Sequence, residues 1–263
     1  MAGEDGRPAW PAERLVGLYE SEGDRIFSRS VWKRISSAEG LADEKYPSEG
    51  AEEVFAEYFG DARLSGALTD VIVTAYEIEQ RTTFFFKSRK AREDARDDYS
   101  LREAARATSA APIYFEPSKI EERDGRPYLA LVDGGVFANN PAMCAYAEAL
   151  KAGEDVGVLV ASLGTGELTR RLAYDDVRDW GLAGWAKPII DVVFDGVSDA
   201  TDHHLDQILG PELYYRFQTR LDRASDDLDD AGEENIHLLK QEAEELLREE
   251  SHRLDDLVAK LGE

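Results

Sequence analysis

The 263-residue chain sets 31 lysines and arginines against 55 aspartates and glutamates, a formal charge of −24 that repels phosphate backbones and so excludes a nucleic-acid partner. Its 43% hydrophobic and 10% aromatic content is that of a globular protein, and the length suits a single domain over residues 1–263. The lone Cys144 rules out an internal disulfide and the scattered His203, His204, His237 and His252 make no zinc set; no metal or cofactor is expected, and the compartment expected is the reducing cytoplasm.

The chain opens on a turn-rich stretch, Gly3 to Pro8, that reads as a connection rather than the start of a fold. A helix follows, with Pro11 in its first turn and Leu15, Leu18, Tyr19 and Ile26 as its apolar stripe. Residues 49–59 form a second amphipathic helix, with Val54, Phe55, Tyr58 and Phe59 on one face. The β-branched and aromatic runs Asp70–Ile78 and Thr82–Phe86 read as a hairpin or as adjacent strands, and the charged stretch Lys87–Ser100 as a solvated loop or exposed helix.

Further on, Tyr128–Val132 and Val156–Ser162 are short apolar runs on either side of a helical pattern at Pro141–Leu150, which implies a buried parallel pair of strands. Residues 186–209 read as a long helix with Ile189, Ile190, Val193, Val197, Leu205 and Ile208 turned inward, and Tyr214–Phe217 as one more strand. An acidic helix closes the chain. Asp230 would cap it, Glu233 would complete a capping box, and Ile236, Leu239, Ala243 and Leu246 would be its buried stripe. No apolar run approaches the ~18 residues of a membrane span and the first ten residues lack a signal-peptide layout. Stable membrane insertion is therefore not expected, while transient contact with a lipid surface stays open.

The segment Leu131-Val-Asp133-Gly134-Gly135-Val-Phe-Ala-Asn139-Asn140-Pro141 places an aspartate at the end of an apolar strand, followed by two glycines and a helix start. In α/β sheets that strand end is where catalytic side chains collect. On spacing alone the simpler reading is an Asp-Gly turn with Asn140 as a helix cap and Pro141 at the first helical position.

Three motifs taken together carry a resemblance. Ala107-Thr108-Ser109-Ala110-Ala111-Pro112, then Val132-Asp-Gly-Gly135 with Asn139-Asn-Pro141, then Ala161-Ser-Leu-Gly-Thr-Gly166 resemble the patatin-like phospholipase family in order and spacing, and the likeness runs on through Trp180–Trp185, Asp202-His-His204 and Asp229-Asp230. The resemblance implies a three-layer α/β/α fold with a mainly parallel central sheet. It also implies hydrolysis of acyl lipids or esters by a serine and aspartate dyad without histidine, in lipid degradation. Asp133 would be the catalytic base, Gly134 and Gly135 would let the backbone turn close to the substrate, and Asn139 and Asn140 would support the motif.

The family's Gly-x-Ser-x-Gly nucleophile elbow and glycine-rich oxyanion loop have no counterpart in the 263 residues. The expectation is that the N-terminal strands carrying them are missing and that the chain alone is inactive. It would then be a truncated hydrolase, one half of a complemented enzyme, or a noncatalytic lipid-binding or interaction protein. Gly196-Val-Ser198-Asp-Ala200 imitates the elbow but lies in a helical pattern, so Ser198 reads as a helix-surface serine. Ser162 reads as strand-end and turn chemistry, Thr108, Ser109 and Pro112 as packing, and His203 and His204 as helix surface. Trp180, Trp185, Ile189 and Ile190 read as core or as part of an acyl-chain wall. Oligomeric state is left open.

Overall fold

A computed structural model describes residues 6–27, 46–123, 125–153, 157–167, 169–186 and 188–262. The chain falls into two compact units, Met1–Phe137 and Ala138–Glu263.

Unit 1 begins with helices α1 (Glu13–Ile26) and α2 (Glu49–Phe59). Strands β1 (Ile72–Glu77) and β2 (Thr82–Lys87), short helix α3 (Ser88–Glu93) and helix α4 (Leu101–Thr108) come next, then strands β3 (Ser118–Ile120) and β4 (Leu129–Asp133). The four strands form one sheet in the order β2-β1-β4-β3, with Ile72 opposite Lys87, Ala75 opposite Asp133 and Ser118 opposite Leu131. Its core gathers Leu64, Ala75, Phe86, Tyr99, Ala104, Ala107, Ile120 and Leu131. The alanines of α4 let that helix approach the sheet, and a reciprocal capping box between Ser100 and Glu103 fixes where it starts.

The α/β character is as expected, but this sheet is antiparallel throughout instead of mainly parallel. The connections decide it. Only residues 78–81 separate β1 from β2 and residues 121–128 separate β3 from β4, whereas a parallel crossover needs roughly a dozen residues or more. Continuous apolar character reports burial, not direction.

Unit 2 holds the short α5 (Gly135–Ala138, beginning in unit 1), α6 (Ala142–Lys151), β5 (Val160–Leu163), the short helices α7 (Tyr174–Val177) and α8 (Leu182–Trp185), and the long α9 (Pro188–Leu209). Strand β6 (Tyr214–Phe217) and helices α10 (Glu233–Glu249) and α11 (Ser251–Leu261) complete it. The parallel pair is β5 with β6, Val160 opposite Tyr214, joined through α9; the apolar runs had implied a parallel pair of β4 with β5, but β4 bonds β1 and β3 instead. Tyr214 packs with Ala142, Val160 and Leu205 on one face, and Tyr215 and Phe217 pack with Leu257 on the other. Helices on both faces are the usual setting for parallel strands.

Several stripes face otherwise than their periodicity suggests. In α1, Leu15 and Tyr19 are exposed while Glu22 and Gly23 are buried, because Ser21, Arg25 and Tyr58 all hydrogen-bond the Glu22 carboxylate. In α9 only Leu205 is fully buried, and Ile189, Val193 and Ile208 are exposed. The acidic tail is two helices, not one. Gly232 holds the N-cap of α10, Asp230 accepts the Gly232 N–H just ahead of it, Ala243 is exposed, and the buried positions are Asn235 and Glu242. These two polar groups bind backbone N–H groups of the preceding loop: Asn235 Oδ1 accepts from Ser225 and Glu242 Oε1 from Arg223. Loop hydrogen bonds, invisible to periodicity, set which side of the helix faces in.

Candidate functional site

Asp133 is the last residue of β4, a strand bonded on both sides, and its own N–H donates to the Ala110 carbonyl at 3.0 Å. One carboxylate oxygen, Oδ1, accepts the Gly135 N–H at 2.7 Å, and among the described residues no cation pairs with the group. Burial pushes its carboxyl up to about 6, with the Gly135 N–H pulling the other way. A partly buried carboxylate with one oxygen pinned is oriented, and with a titration point near neutrality it can take up a proton during a reaction.

Gly134 serves by closeness and not by conformation, since its backbone lies outside the left-handed region. A Cβ there would sit 2.1 Å from Thr74 Oγ1 and 2.4 Å from the Thr74 carbonyl oxygen. That carbonyl accepts the Thr108 hydroxyl at 2.8 Å. Thr74, from β1, and Thr108, from the end of α4, thus wedge the turn that follows Asp133. Thr108 and Ser109, whose hydroxyl bonds back to the Ala105 carbonyl, have the packing roles expected of them.

Sequence reasoning missed Thr74, whose contacts with Gly134 and Thr108 come from distant parts of the chain, and Ile113. Ile113 has φ of 77°, a region that β-branched residues avoid, and its side chain is exposed. It follows Ala110, whose carbonyl anchors Asp133, in the same loop. Such strain marks functional loops often enough to add Ile113 to the candidate residues. The Ala-Pro-Ile-Tyr sequence gives no hint of a positive φ.

In unit 2, Asn139 is exposed, its Nδ2 donating to the Phe194 carbonyl at 3.4 Å. Asn140 is buried and its Oδ1 accepts the Ala142 N–H at 3.1 Å, but the N-cap of α6 is Pro141, so Asn140 stands one residue ahead of the capping position expected for it. Its Oδ1 also accepts the Ser162 hydroxyl at 3.1 Å, and Ser162 Oγ accepts from Arg216 Nη1 at 3.0 Å. Ser162 is buried with its proton and a lone pair both committed, so it is a structural serine. Ser198 is half-buried and takes the other arm of Arg216 at 3.5 Å, which corrects its reading as a surface serine. Ser198 lies within α9 and not at the strand-to-helix turn that a nucleophile needs. His203 and His204 are exposed on α9, as expected. Trp180 and Trp185 are half-buried against each other, and Ile189 is exposed, so neither is closed core.

Among the described residues no cluster of three or more histidine, cysteine or acidic side chains is arranged to hold a metal ion, and no helix is long and apolar enough to cross a membrane.

Comparison with known proteins places the chain in a family. A family model described as "Patatin-like phospholipase" matches residues 10–146, a span that contains Asp133, both glycines and both asparagines. Patatin-like protein 4 of Arabidopsis thaliana is 30% identical over 272 residues, covering 93% of this chain and 68% of that protein. Patatin-like protein 2 of the same plant is 30% identical over 96% of this chain and 70% of its own length, and Patatin-11 of Solanum tuberosum is 28% identical over 93% and 68%.

Proposed function

This chain belongs to the patatin-like phospholipase family, and on that premise we propose that it takes part in the hydrolysis of acyl lipid esters with Asp133 as general base for a serine nucleophile. The observation that supports the reading is the Asp133 carboxylate itself: oriented by Gly135, unpaired with any described cation, and raised to about 6 by burial. In the reaction the serine hydroxyl would give its proton to Asp133 as its oxygen attacks the ester carbonyl, and the proton would pass to the leaving alcohol.

The 263 residues contain no Gly-x-Ser-x-Gly sequence, so in this reading the serine comes from polypeptide outside them, and the chain by itself does not turn over ester. The same absence favours a second reading, a noncatalytic lipid-binding or interaction protein that retains Asp133.

The test is hydrolysis of a short-chain chromogenic ester by this chain alone, by a form completed with a Gly-x-Ser-x-Gly segment in cis or in trans, and by the completed form carrying Asp133→Asn. Activity is expected only in the completed form, rising as pH passes through about 6 because the base must be ionised, and falling at least ~10³-fold in the variant. Ester hydrolysis by the chain alone would overturn the external-serine assignment. An active Asp133→Asn form would overturn the base assignment, and an inactive completed form would leave the noncatalytic reading standing.

A further inference from the structure

Unit 2 displays an apolar surface that its own core does not use. The short helix α8 holds Leu182 with 95% of its surface exposed, and the neighbouring Tyr174 is 74% exposed. On α9, Ile189, Val192 and Val193 are exposed, at the i, i+3 and i+4 spacing that places side chains on one helix face. A leucine this exposed is ordinary when isolated, but five large apolar side chains exposed within residues 174–193, three of them on one helix face, mark a contact site.

The segment is built to present it. The Gly181 carbonyl accepts the N–H groups of Gly184 and Trp185, closing the turn. A Cβ on Gly184 would lie 2.8 Å from Trp180 Cγ, so the glycine allows that indole to lie against α8. There it meets Trp185 edge to face, ring centroids 5.5 Å apart and interplanar angle 79°. Both indoles are half-buried. Leu182 is left pointing to solvent between them in sequence.

The charges around this surface select the occupant. Residues 174–193 carry Asp175, Asp176, Asp179 and Asp191 against Arg178 and Lys187. Arg178 bonds Asp175 and Asp179, at 3.4 and 3.3 Å, and leaves the segment net acidic within a chain of charge −24. Anionic lipid is repelled by such a surface. Exposed carboxylates beside paired indoles suit quaternary ammonium groups, which aromatic faces and acidic side chains bind together. Indoles also favour the headgroup depth of a bilayer, with aliphatic side chains reaching below it.

We propose that α8 and the first turns of α9 form a docking face for zwitterionic, choline-bearing lipid surfaces. In it Leu182, Ile189, Val192 and Val193 insert, and Trp180 and Trp185 lie at headgroup level. The choice of lipid as partner rests on the acyl-hydrolase reading above. The inserted residues hold the protein at the surface from which its substrate is drawn.

The experiment uses the full 263-residue chain and no ester substrate, so its outcome does not depend on catalysis. Vesicles of phosphatidylcholine and of phosphatidylglycerol are floated with the wild type and with a Leu182→Asp, Val193→Asp double variant, while tryptophan emission and its quenching by brominated phosphatidylcholine are followed. Both substituted side chains are exposed, so the variant is expected to keep the wild-type circular dichroism and melting temperature. Wild type is expected to float with phosphatidylcholine, with blue-shifted and quenched emission, and to partition less onto phosphatidylglycerol. The variant is expected to lose roughly tenfold or more of its partitioning. Three results would overturn the proposal: no flotation with phosphatidylcholine, equal flotation of the variant, or a wild-type dimer in light scattering that the variant splits, which would show that a second copy covers the face. Vesicle binding together with an inactive completed enzyme would sink the hydrolase reading and leave the docking face intact.

Discussion

Two strand ends in this protein carry a polar residue followed by glycine-rich sequence, and they are finished in opposite ways. At the end of β4, Asp133 has one backbone donor, no described cation and a carboxyl raised to about 6. Near the end of β5, Ser162 has its proton given to Asn140 and its oxygen bonded by Arg216, with almost no exposure. A group whose hydrogen-bonding capacity is filled has settled into structure, whereas a desolvated group left short of partners keeps the capacity to react. The comparison assigns chemistry to the first and architecture to the second, although the two sequences look equally inviting.

The surest way to break the first site is through its support. Gly134→Ala would put a methyl group 2.4 Å from the Thr74 backbone carbonyl oxygen, and backbone in a central strand cannot move aside cheaply. A loss of roughly 3 kcal/mol or more is expected, enough to unfold unit 1 if its margin is ordinary. Thermal or urea unfolding followed by far-ultraviolet circular dichroism measures it. A change under ~1 kcal/mol would mean that the turn after Asp133 is not wedged against β1.

Asp133→Asn should act in the opposite direction on stability. The folded carboxyl titrates at about 6, above its ordinary value of 3.8, so the folded state holds the proton more tightly than the unfolded chain. The stability which that proton confers is full below about pH 3.8 and is lost as pH rises through about 6; above that, the buried charge costs up to about 3 kcal/mol, from roughly 1.4 kcal/mol for each of about two pH units. Asparagine keeps the oxygen that accepts from Gly135 and carries no charge. The variant is therefore expected to be more stable than wild type at pH 8 by up to about 3 kcal/mol and equal to it near pH 4. Urea midpoints at the two pH values decide it, and equal midpoints at pH 8 would show that the carboxylate is well solvated. A residue that costs stability in its charged form is what a site held for function looks like.

Much of this was legible in the residues. The hairpin at β1 and β2, helices α2, α6 and α9, strand β6 and the aspartate at a strand end were all readable, because local periodicity and turn chemistry decide them. The partners of β4 were not, since the apolar runs of β4 and β5 suggested a parallel pair, whereas the short 121–128 connection turns β4 antiparallel onto β3 and β5 pairs with β6. Nor was the inward face of α1 or α10, where buried Glu22, Asn235 and Glu242 answer hydrogen bonds from distant or preceding segments. At the site, Asp133, its glycines and the Asn140 turn ahead of α6 could be found by motif. Thr74 could not, because its contacts with Gly134 and Thr108 cross some 60 and 34 residues and arise only when β1 pairs with β4.

The second strand end yields the sharper and smaller test. Ser162→Ala removes the hydroxyl that links Asn140 to Arg216, leaving the Ala142 N–H still bonded to Asn140 Oδ1 and Arg216 Nη2 still reaching Ser198. The loss falls on one buried hydroxyl with two partners, so about 1 to 2 kcal/mol of stability should go. Thr108→Val, which deletes the bond to the Thr74 carbonyl while keeping the side-chain shape, should cost about 1 kcal/mol. Neither group belongs to the proposed proton path, so in a form completed with a nucleophilic serine both variants should keep ester hydrolysis within a few-fold of wild type at a temperature where they are folded. A Ser162→Ala enzyme that folds normally yet loses activity as steeply as Asp133→Asn would collapse the distinction between a filled and an unfilled strand end, and would make Ser162 part of the chemistry.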